Sequence, residues 1–171
     1  MENREIERKF LVKDESWREQ IITYYDIMQG YVCREPGKTV RIRLRTDADG
    51  KQQAFLTFKY KLASFTRFEW EREISVEDFR ALLPMCGGRF IDKTRYILPA
   101  QALAQQEQKE KQESSDELPC LKWEIDVFRH PREGLVLAEI ELPSEDAAFV
   151  RPAFLGEDVT GDPQYYNANM L

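Results

Sequence analysis

Histidine is almost missing from this sequence: His130 is the single one among 171 residues. Its neighbours are an arginine and a proline, as in many turns, which argues against both a histidine-based zinc site and a Ser-His-Asp triad. Cysteine is scarce too, since Cys33, Cys86 and Cys120 are scattered and show neither metal-ligand spacing nor a disulfide framework. We therefore expect three reduced thiols in a cytoplasmic protein.

Long apolar runs and a surplus of positive charge are also missing. The N-terminus is charged where a signal peptide would be apolar, and no segment is long enough to span a membrane, so no membrane partner is expected. The formal net charge of −6 argues against a general nucleic-acid binder. There is no glycine-rich phosphate loop of the nucleotide-binding type, so a phosphate ligand would have to be held by side chains.

What the chain does contain fits one globular domain over residues 1–171. Hydrophobic residues make up 42%, aromatic residues 12% and charged residues 33%, which provides enough apolar side chains for a sizeable core. Residues 100–118 differ from the rest, because they are rich in Gln, Glu and Lys and nearly free of bulky apolar side chains. We interpret them as a mobile insertion between two strands with no catalytic role.

Alternation of apolar and polar side chains, which is typical of β-strands, recurs along the chain. The predicted strands cover residues 3–12, 26–33, 39–45, 54–60, 67–74, 89–98, 121–128 and 135–142. Short helices are predicted from 13 to 20, from Ser75 to about 83, and from Ser144 to about 150. Gly30, inside the second predicted strand, indicates a bulge or the close approach of another group.

Charged residues are sorted by strand. Arg41, Arg43 and Arg45 alternate with apolar residues on one strand, and carboxylates separated by one residue, such as Glu5 and Glu7, occur on others. A sheet that buries one face and wets the other alternates in the same way, so a solvated charged face is the ordinary interpretation. The sorting favours a second interpretation, in which eight antiparallel strands close into a barrel with a charged interior.

A closed barrel would bring two sets of charged side chains into one polar cavity. The basic set is Lys9, Arg41, Arg43, Arg45, Lys59, Lys93 and Arg95. The acidic set is Glu5, Glu7, Glu69, Glu71, Glu124, Asp126, Glu139 and Glu141. Because a buried charge is costly unless it is paired, phosphate oxygens beside the first set and Mg²⁺ or Mn²⁺ beside the second would stabilise such a cavity.

The segment Glu5-Ile6-Glu7-Arg8-Lys9 is similar to the Glu-x-Glu-x-Lys signature of the CYTH superfamily, the triphosphate tunnel metalloenzymes. Further similar segments follow in the order of that family and cover nearly the whole chain. They are Gln29-Gly30-Tyr31, Val40-Arg41-Ile42-Arg43, Leu56-Thr57-Phe58-Lys59, Arg67-Phe68-Glu69-Trp70-Glu71, Lys93-Thr94-Arg95-Tyr96, Glu124-Ile125-Asp126-Val127-Phe128, Glu139-Ile140-Glu141, and Val159-Thr160 with Asp162, Tyr165 and Asn167. The chain most resembles the short bacterial, inorganic-triphosphatase-like branch.

The resemblance implies a mostly β (α+β) fold: an eight-stranded antiparallel closed β-barrel, or tunnel, with a few short helices outside it. It also implies that the protein needs Mg²⁺ or Mn²⁺. By matching position, the substrate-binding residues are Lys9, Arg41, Arg43, Arg45, Lys59, Lys93 and Arg95. The metal-binding residues are Glu5, Glu7, Asp126, Glu139 and Glu141. The catalytic residues are Glu5, Glu7, Lys9, Glu69 and Glu71. The insertion at 100–118 departs from the family, in which a tight hairpin is expected.

The function expected from this resemblance is metal-dependent hydrolysis of a small-molecule triphosphate, with inorganic triphosphate ranked first. A class IV-type adenylyl cyclase and a thiamine triphosphatase are the enzyme alternatives, although the sequence offers no evident adenine pocket. A binding module for polyphosphate or nucleotides is the alternative without catalysis, and the many carboxylates argue against it. The sequence leaves open whether the protein is a monomer or a homodimer. Tyr31, Trp70 and Trp123 are interpreted as packing residues.

Overall fold

The computed structural model describes residues 4–61, 66–100 and 121–171, and for Arg4, Glu5, Thr66 and Arg67 it describes the backbone alone. The strands are β1 (Arg4–Val12), β2 (Thr23–Glu35), β3 (Lys38–Asp47), β4 (Gln52–Lys61), β5 (Thr66–Ile74), β6 (Phe90–Pro99), β7 (Lys122–His130), β8 (Val136–Glu141) and β9 (Leu155–Asp158). The helix α1 spans Val76–Leu82. Short 3-10 helices span Ser16–Gln20, Leu83–Cys86, Pro163–Tyr165 and Asn167–Asn169. Apart from Ala100, the predicted insertion lies outside the described residues.

The strands form one antiparallel sheet, in the order β5-β4-β3-β2-β6-β7-β8-β1-β9. In addition, β1 pairs with β5, so that Arg4 lies opposite Phe68 and Ile6 opposite Thr66. β1 therefore has hydrogen-bonded neighbours at both ends of the strand order, β8 on one side and β5 on the other. The prediction of a mostly β, antiparallel fold is confirmed.

Within the described residues, the helix predicted from 13 to 20 is a 3-10 helix over Ser16–Gln20, and two other short segments differ from the predicted elements. The strand β9 was not predicted; its four residues pair with β1 through Phe10 and Val12. The helix predicted after Ser144 is wrong, because Ala147 N–H donates to the Ser144 carbonyl in a single turn that does not continue. Phe149 instead packs edge-on against the rings of Phe10 and Trp123, with ring centroids 6.2 and 5.7 Å away, so tertiary packing outweighs the local helical preference.

The predicted helix that begins after Ser75 is confirmed. The Ser75 hydroxyl accepts a hydrogen bond from Asp78 N at 2.9 Å, as an N-terminal cap does. Phe79 on α1 is buried against Ile42 of β3 and Ala54 of β4, so this helix covers one outer part of the sheet. No helix within the described ranges is long and apolar enough to cross a membrane.

A second apolar cluster covers the outer side of β6, β7, β8 and β1. It is centred on Phe10, Trp123 and Ile140, which are at most 2% exposed, and Phe154 and Leu155 from the C-terminal part of the chain cover them. Because alternate residues of a strand face opposite sides, burying these residues turns their charged neighbours to the other side of the sheet. The apolar faces thus supply the core, and the charged faces are left for the site.

Gly30 in β2 lies where another group approaches closely. A Cβ at this position would lie 2.6 Å from Cys86 Sγ and 3.0 Å from Cys86 Cβ. The close approach that the sequence indicated at Gly30 is therefore confirmed, and the group concerned is a buried side chain from the 3-10 helix after α1.

We expect Gly30→Ala to lower the free energy of unfolding by about 1–3 kcal/mol, because the added methyl group overpacks the contact with Cys86. The double variant Gly30→Ala/Cys86→Ala should recover part of this loss, since the nearest atom, Sγ, is gone. Urea unfolding of both variants and of Cys86→Ala alone gives the coupling energy. A Gly30→Ala protein as stable as the wild type would contradict the packing described.

Candidate active site

Side chains from strands β1 to β8 line one cavity of about 840 Å³. Its charged lining includes members of both predicted sets. They are Glu7, Lys9, Arg41, Arg43, Lys59, Glu69, Glu71, Arg95, Glu124, Glu139 and Glu141. Residues 166–169 of the C-terminal segment line it as well. Strands remote in sequence thus place alternating acids and bases around a single space.

The basic side of the cavity is built by β3 and β4. Arg43 Nη2 donates to both oxygens of Glu71 at 3.0 Å, and Arg41 Nη2 donates to one of them at 3.3 Å. Lys59 Nζ lies 3.0 Å from Glu69 Oε2. Burial, together with the neighbouring Arg41, lowers the pKa of Arg43 to about 10, although Glu71 acts in the opposite direction.

The acidic side of the cavity lies where β1 and β8 pair. Glu7 is directly opposite Glu141, and Lys9 is directly opposite Glu139. Like charges directly opposite each other on neighbouring strands repel, so the Glu7 and Glu141 pair favours a cation nearby. On the next strand, Glu124 lies opposite Glu139, and Arg95 contacts both carboxylates.

A chain of five charges of alternating sign, four of them buried and Arg95 half-buried, runs from the cavity lining into the sheet. Lys9 Nζ is 2.9 Å from Glu139 Oε1, and Arg95 Nη2 donates to Glu139 Oε2 at 2.9 Å. Arg95 also donates to both oxygens of Asp126 at 2.7 Å, and Lys93 Nζ donates to Asp126 Oδ2 at 2.5 Å. Each ion therefore contacts at least one ion of opposite charge, and Arg95 contacts three carboxylates.

These contacts shift the pKa values inside the chain of charges. Burial would raise the pKa of Glu139, but Lys9 and Arg95 more than offset this and hold it well below its ordinary value. Burial would lower the pKa of Lys9, but Glu139 and Glu7 raise it above its ordinary value. Burial lowers the pKa of Lys93 to about 8 in spite of Asp126, with Arg95 acting in the same direction.

Three residues predicted for the site are placed differently from the rest. Lys93 and Asp126, at 1% and 0% exposure, lie behind the cavity wall. Arg45 is not one of the described residues that line the cavity; its guanidinium carbon lies 4.5 Å from the ring centre of Tyr25, and its Nη2 donates to Gln53 Oε1 at 2.6 Å. The side chain of Glu5 lies outside the described part of the chain.

Several lining residues were not predicted as site residues. Tyr31, interpreted from sequence as a packing residue, packs in an apolar cluster with Phe128 and also lines the cavity, where its hydroxyl accepts from Gln29 Nε2 at 3.1 Å. Tyr165 is not among the cavity-lining residues and was not predicted as a site residue either, but its carbonyl accepts a hydrogen bond from Lys9 Nζ at 3.3 Å. The sequence pattern around these residues did not indicate a role in the site. Aromatic rings and backbone carbonyls carry no net charge, so they do not stand out in an alternating pattern of charged residues.

The carboxylates that line the acidic side of the cavity are chemically suitable ligands for a divalent cation. The acids are carboxylates, the oxygen ligands that Mg²⁺ and Mn²⁺ prefer, and Glu7 faces Glu141. Within the described ranges, however, no three acidic, histidine or cysteine side chains already form a metal-binding group. Asp126 is least suited to direct coordination, since both of its oxygens accept hydrogen bonds from Lys93 or Arg95.

The sequence of this chain is similar to that of a known protein family. The CYTH domain profile matches residues 3–166. The chain belongs to the CYTH domain family. An inorganic triphosphatase of Acetivibrio thermocellus is 33% identical to this CYTH domain over 169 residues, which cover 98% of this chain and 93% of the relative. An inorganic triphosphatase of Nitrosomonas europaea is 34% identical over 166 residues, covering 95% and 93%.

Solved structures of similar proteins share the fold. A crystal structure of an inorganic triphosphatase aligns with this CYTH domain at a TM-score of 0.58 and 31% identity, covering 96% of this chain and 92% of the other. A conserved hypothetical protein of Pyrococcus furiosus aligns at a TM-score of 0.55 and 20% identity, covering 84% and 81%. The second likeness concerns the fold alone.

The buried charges give a prediction for stability. Asp126→Asn should lower the free energy of unfolding at pH 7 by about 3–5 kcal/mol, because Lys93 and Arg95 lose their shared counter-ion. In the wild type the pKa of Asp126 is lowered, since Arg95 and Lys93 outweigh burial. Its contribution is therefore present above the unfolded-state pKa of about 3.9 and is lost as the pH falls through the lower folded-state value.

Urea unfolding at pH 7, 4 and 3 measures both effects. Stability should fall less steeply with acid in Asp126→Asn than in the wild type, because one carboxylate of lowered pKa is gone. Asp92→Asn is the matched control, since Asp92 pairs with Arg129 at the surface and should cost at most about 1 kcal/mol. Equal stability of Asp126→Asn and the wild type would contradict the buried pairing.

Proposed function

We propose that this CYTH domain is an inorganic triphosphatase, which hydrolyses tripolyphosphate inside the charged cavity with the help of Mg²⁺ or Mn²⁺. The observation that carries the proposal is the division of the cavity lining: Arg41, Arg43 and Lys59 on one side, and the facing Glu7 and Glu141 on the other. A ligand that is itself a polyanion with bound cations matches both sides. The two full-length relatives named as inorganic triphosphatases support the same substrate.

The sheet is proposed to close as an eight-stranded tunnel around this cavity. Support comes from β1, which pairs with β8 and also with β5, so that a ring of strands runs from β1 through β5, β4, β3, β2, β6, β7 and β8 back to β1. β9 pairs with β1 and would lie outside this ring. In such a tunnel the charged faces surround the substrate, and water enters only from the ends.

The phosphates are held by basic side chains, because no glycine-rich loop is available. Arg41, Arg43, Lys59, Lys9 and Arg95 line the cavity and would contact phosphate oxygens. Lys93 would act from behind the wall, and Arg45 would lie beyond one end of the triphosphate.

The cation would be held by Glu7, Glu139 and Glu141, with Glu5 preceding Glu7 on the same face of β1. Asp126 is better placed to orient Lys93 and Arg95 than to bind the ion directly. When bound, a divalent cation polarises phosphate oxygens and lowers the pKa of water. Glu69 and Glu71 would keep Lys59, Arg41 and Arg43 aimed at the phosphates and accept hydrogen bonds from the attacking water. The bases would stabilise the charge that develops on the leaving phosphate.

Phosphate release from tripolyphosphate, ATP and thiamine triphosphate, each with Mg²⁺ or Mn²⁺, tests the assignment. We expect the highest kcat/KM with tripolyphosphate. Cyclic AMP and pyrophosphate formed from ATP would instead identify a cyclase, and preferred cleavage of thiamine triphosphate would identify a thiamine triphosphatase. Tight binding of tripolyphosphate without turnover would identify a binding module.

Glu7→Gln separates function from stability. Glu7 is repelled by Glu141 and attracted by Lys9, whose Nζ lies 3.6 Å away, so removing its charge should leave the free energy of unfolding within about 1 kcal/mol of the wild-type value. Metal-dependent phosphate release should nevertheless fall by about 100-fold or more, as observed when electrostatic groups are removed from active sites. Colorimetric phosphate assays over a range of Mn²⁺ concentrations, together with urea unfolding, measure both quantities.

Glu157→Gln is the matched control for this substitution, because Glu157 is exposed on β9 and does not line the cavity. It should leave turnover unchanged. Wild-type turnover in Glu7→Gln at low Mn²⁺ would remove Glu7 from the metal-binding set.

A further inference from the structure

Thr57 of β4 lies between two members of the proposed site. It is opposite Arg41 on β3 and opposite Glu71 on β5, so the three residues stand side by side across three strands. Thr57 is 0% exposed, although its side chain is polar. Sequence reasoning gave it no role, because threonine is common on strands and its hydroxyl carries no charge.

The direction of the hydrogen bonds at Thr57 is fixed by chemistry. Arg41 Nη2 lies 3.2 Å from Thr57 Oγ1 and can only donate. The single hydroxyl hydrogen of Thr57 is therefore available for Glu71 Oε2, which lies 2.6 Å away. This is the shortest of the hydrogen bonds to Glu71 described above, and it requires the carboxylate to be an acceptor.

We infer that Thr57 is a positioning residue for the triphosphatase reaction: its hydroxyl fixes the side chains of Glu71 and Arg41 in the orientation that presents Arg41 and Arg43 to the phosphates. This inference rests on the proposed function, because it is tested by measuring triphosphatase activity. Thr57 does not line the cavity and so acts through its two partners. Glu71 is shared by the guanidinium groups of Arg41 and Arg43, which a substrate would draw away from it. The hydrogen bond from the Thr57 hydroxyl would then still hold the Glu71 carboxylate in place.

The protein contains a second threonine in a similar setting, on the other side of the sheet. The Thr94 hydroxyl donates to Asp26 Oδ1 at 2.8 Å and accepts a hydrogen bond from Arg129. Thr94 is 8% exposed and alternates with Lys93 and Arg95, so it faces away from them. Thr57 and Thr94 thus make the same pair of contacts, an arginine donor and a carboxylate acceptor, but only the contacts of Thr57 involve cavity-lining residues.

The experiment compares Thr57→Val with Thr94→Val, which lose the same hydroxyl. Thr57→Val should lower kcat/KM for tripolyphosphate by about tenfold to 100-fold, the range expected for a lost hydrogen bond to a charged group. Thr94→Val should leave kcat/KM within about twofold of the wild type, because it removes the bond far from the proposed phosphate contacts. Thr57→Ser, which keeps the hydroxyl, should recover most of the activity.

The pH profile gives a readout that a purely structural role would not change. Burial raises the pKa of Glu71, but Arg43 and the Thr57 hydroxyl lower it more, and the pKa lies below its ordinary value. The other charged groups around this carboxylate are Arg41, Lys59 and Glu69. Losing the hydroxyl removes one stabiliser of the ionised form, so the acid limb of kcat/KM should move to higher pH in Thr57→Val and not in Thr57→Ser or Thr94→Val.

Two outcomes would overturn the inference while the proposed function stands: an active wild type with Thr57→Val unchanged in kcat/KM, or Thr57→Val and Thr94→Val impaired alike. If the wild type releases no phosphate, the proposed function fails, and titration calorimetry with tripolyphosphate decides the role of Thr57. Weaker binding by Thr57→Val alone would then support positioning, and equal or absent binding would refute it. If Thr57→Val does not fold, Thr57→Ser must retain wild-type kcat/KM and pH profile, or the inference falls.

Discussion

The alternating contacts among Lys9, Glu139, Arg95, Asp126 and Lys93 are the constraint on which the rest of the molecule depends. A buried ion loses several kcal/mol of hydration unless an opposite charge and hydrogen bonds compensate. Here four strands must meet in one register before all five charges are compensated, so we expect the charges to favour this strand pairing more than they add net stability. The net stabilisation must come from the apolar clusters, which lie around Phe10 and Trp123, beneath α1, and around Phe128 and Leu137.

The separation of apolar and charged side chains onto opposite faces of the strands also explains the chemistry of the cavity. Outer packing fixes the strands, and this frees their inner faces to hold charges that would not be tolerated in an ordinary core. In the middle, Asp126 and Glu139 each contact two cations, whereas charges of like sign lie side by side at the two sides. Arg41 and Arg43 both contact Glu71, and Glu7 faces Glu141. A polyphosphate would add negative charge beside the guanidinium groups, and its cations would add positive charge beside Glu7 and Glu141, so the arrangement suits a triphosphate better than a neutral or cationic ligand.

The strands and the sorting of charges could be predicted from the sequence, because alternation with a period of two can be recognised within about seven residues. The pairing of the strands could not be predicted in the same way, because Glu7 and Glu141, which face each other, are 134 positions apart in the chain. The burial of Asp126 behind two cations and the stacking of Arg45 on Tyr25 are likewise tertiary facts. β9 was missed because four residues show too little alternation, and the helix after Ser144 failed because Phe149 is held by the core. The family resemblance supplied the order of the motifs, and the residue roles taken from it remain predictions.

A crystal structure grown with Mn²⁺ and imidotriphosphate, a triphosphate analogue that resists hydrolysis, is the most direct test of whether the cavity binds a triphosphate with its metal. We expect phosphate groups against Arg41 and Arg43 and an anomalous Mn²⁺ peak beside Glu7 and Glu141, with Lys93 and Asp126 still paired behind the wall. An analogue bound on the outer face of the sheet, or a cavity that excludes both the analogue and the metal at saturating concentrations, would contradict it.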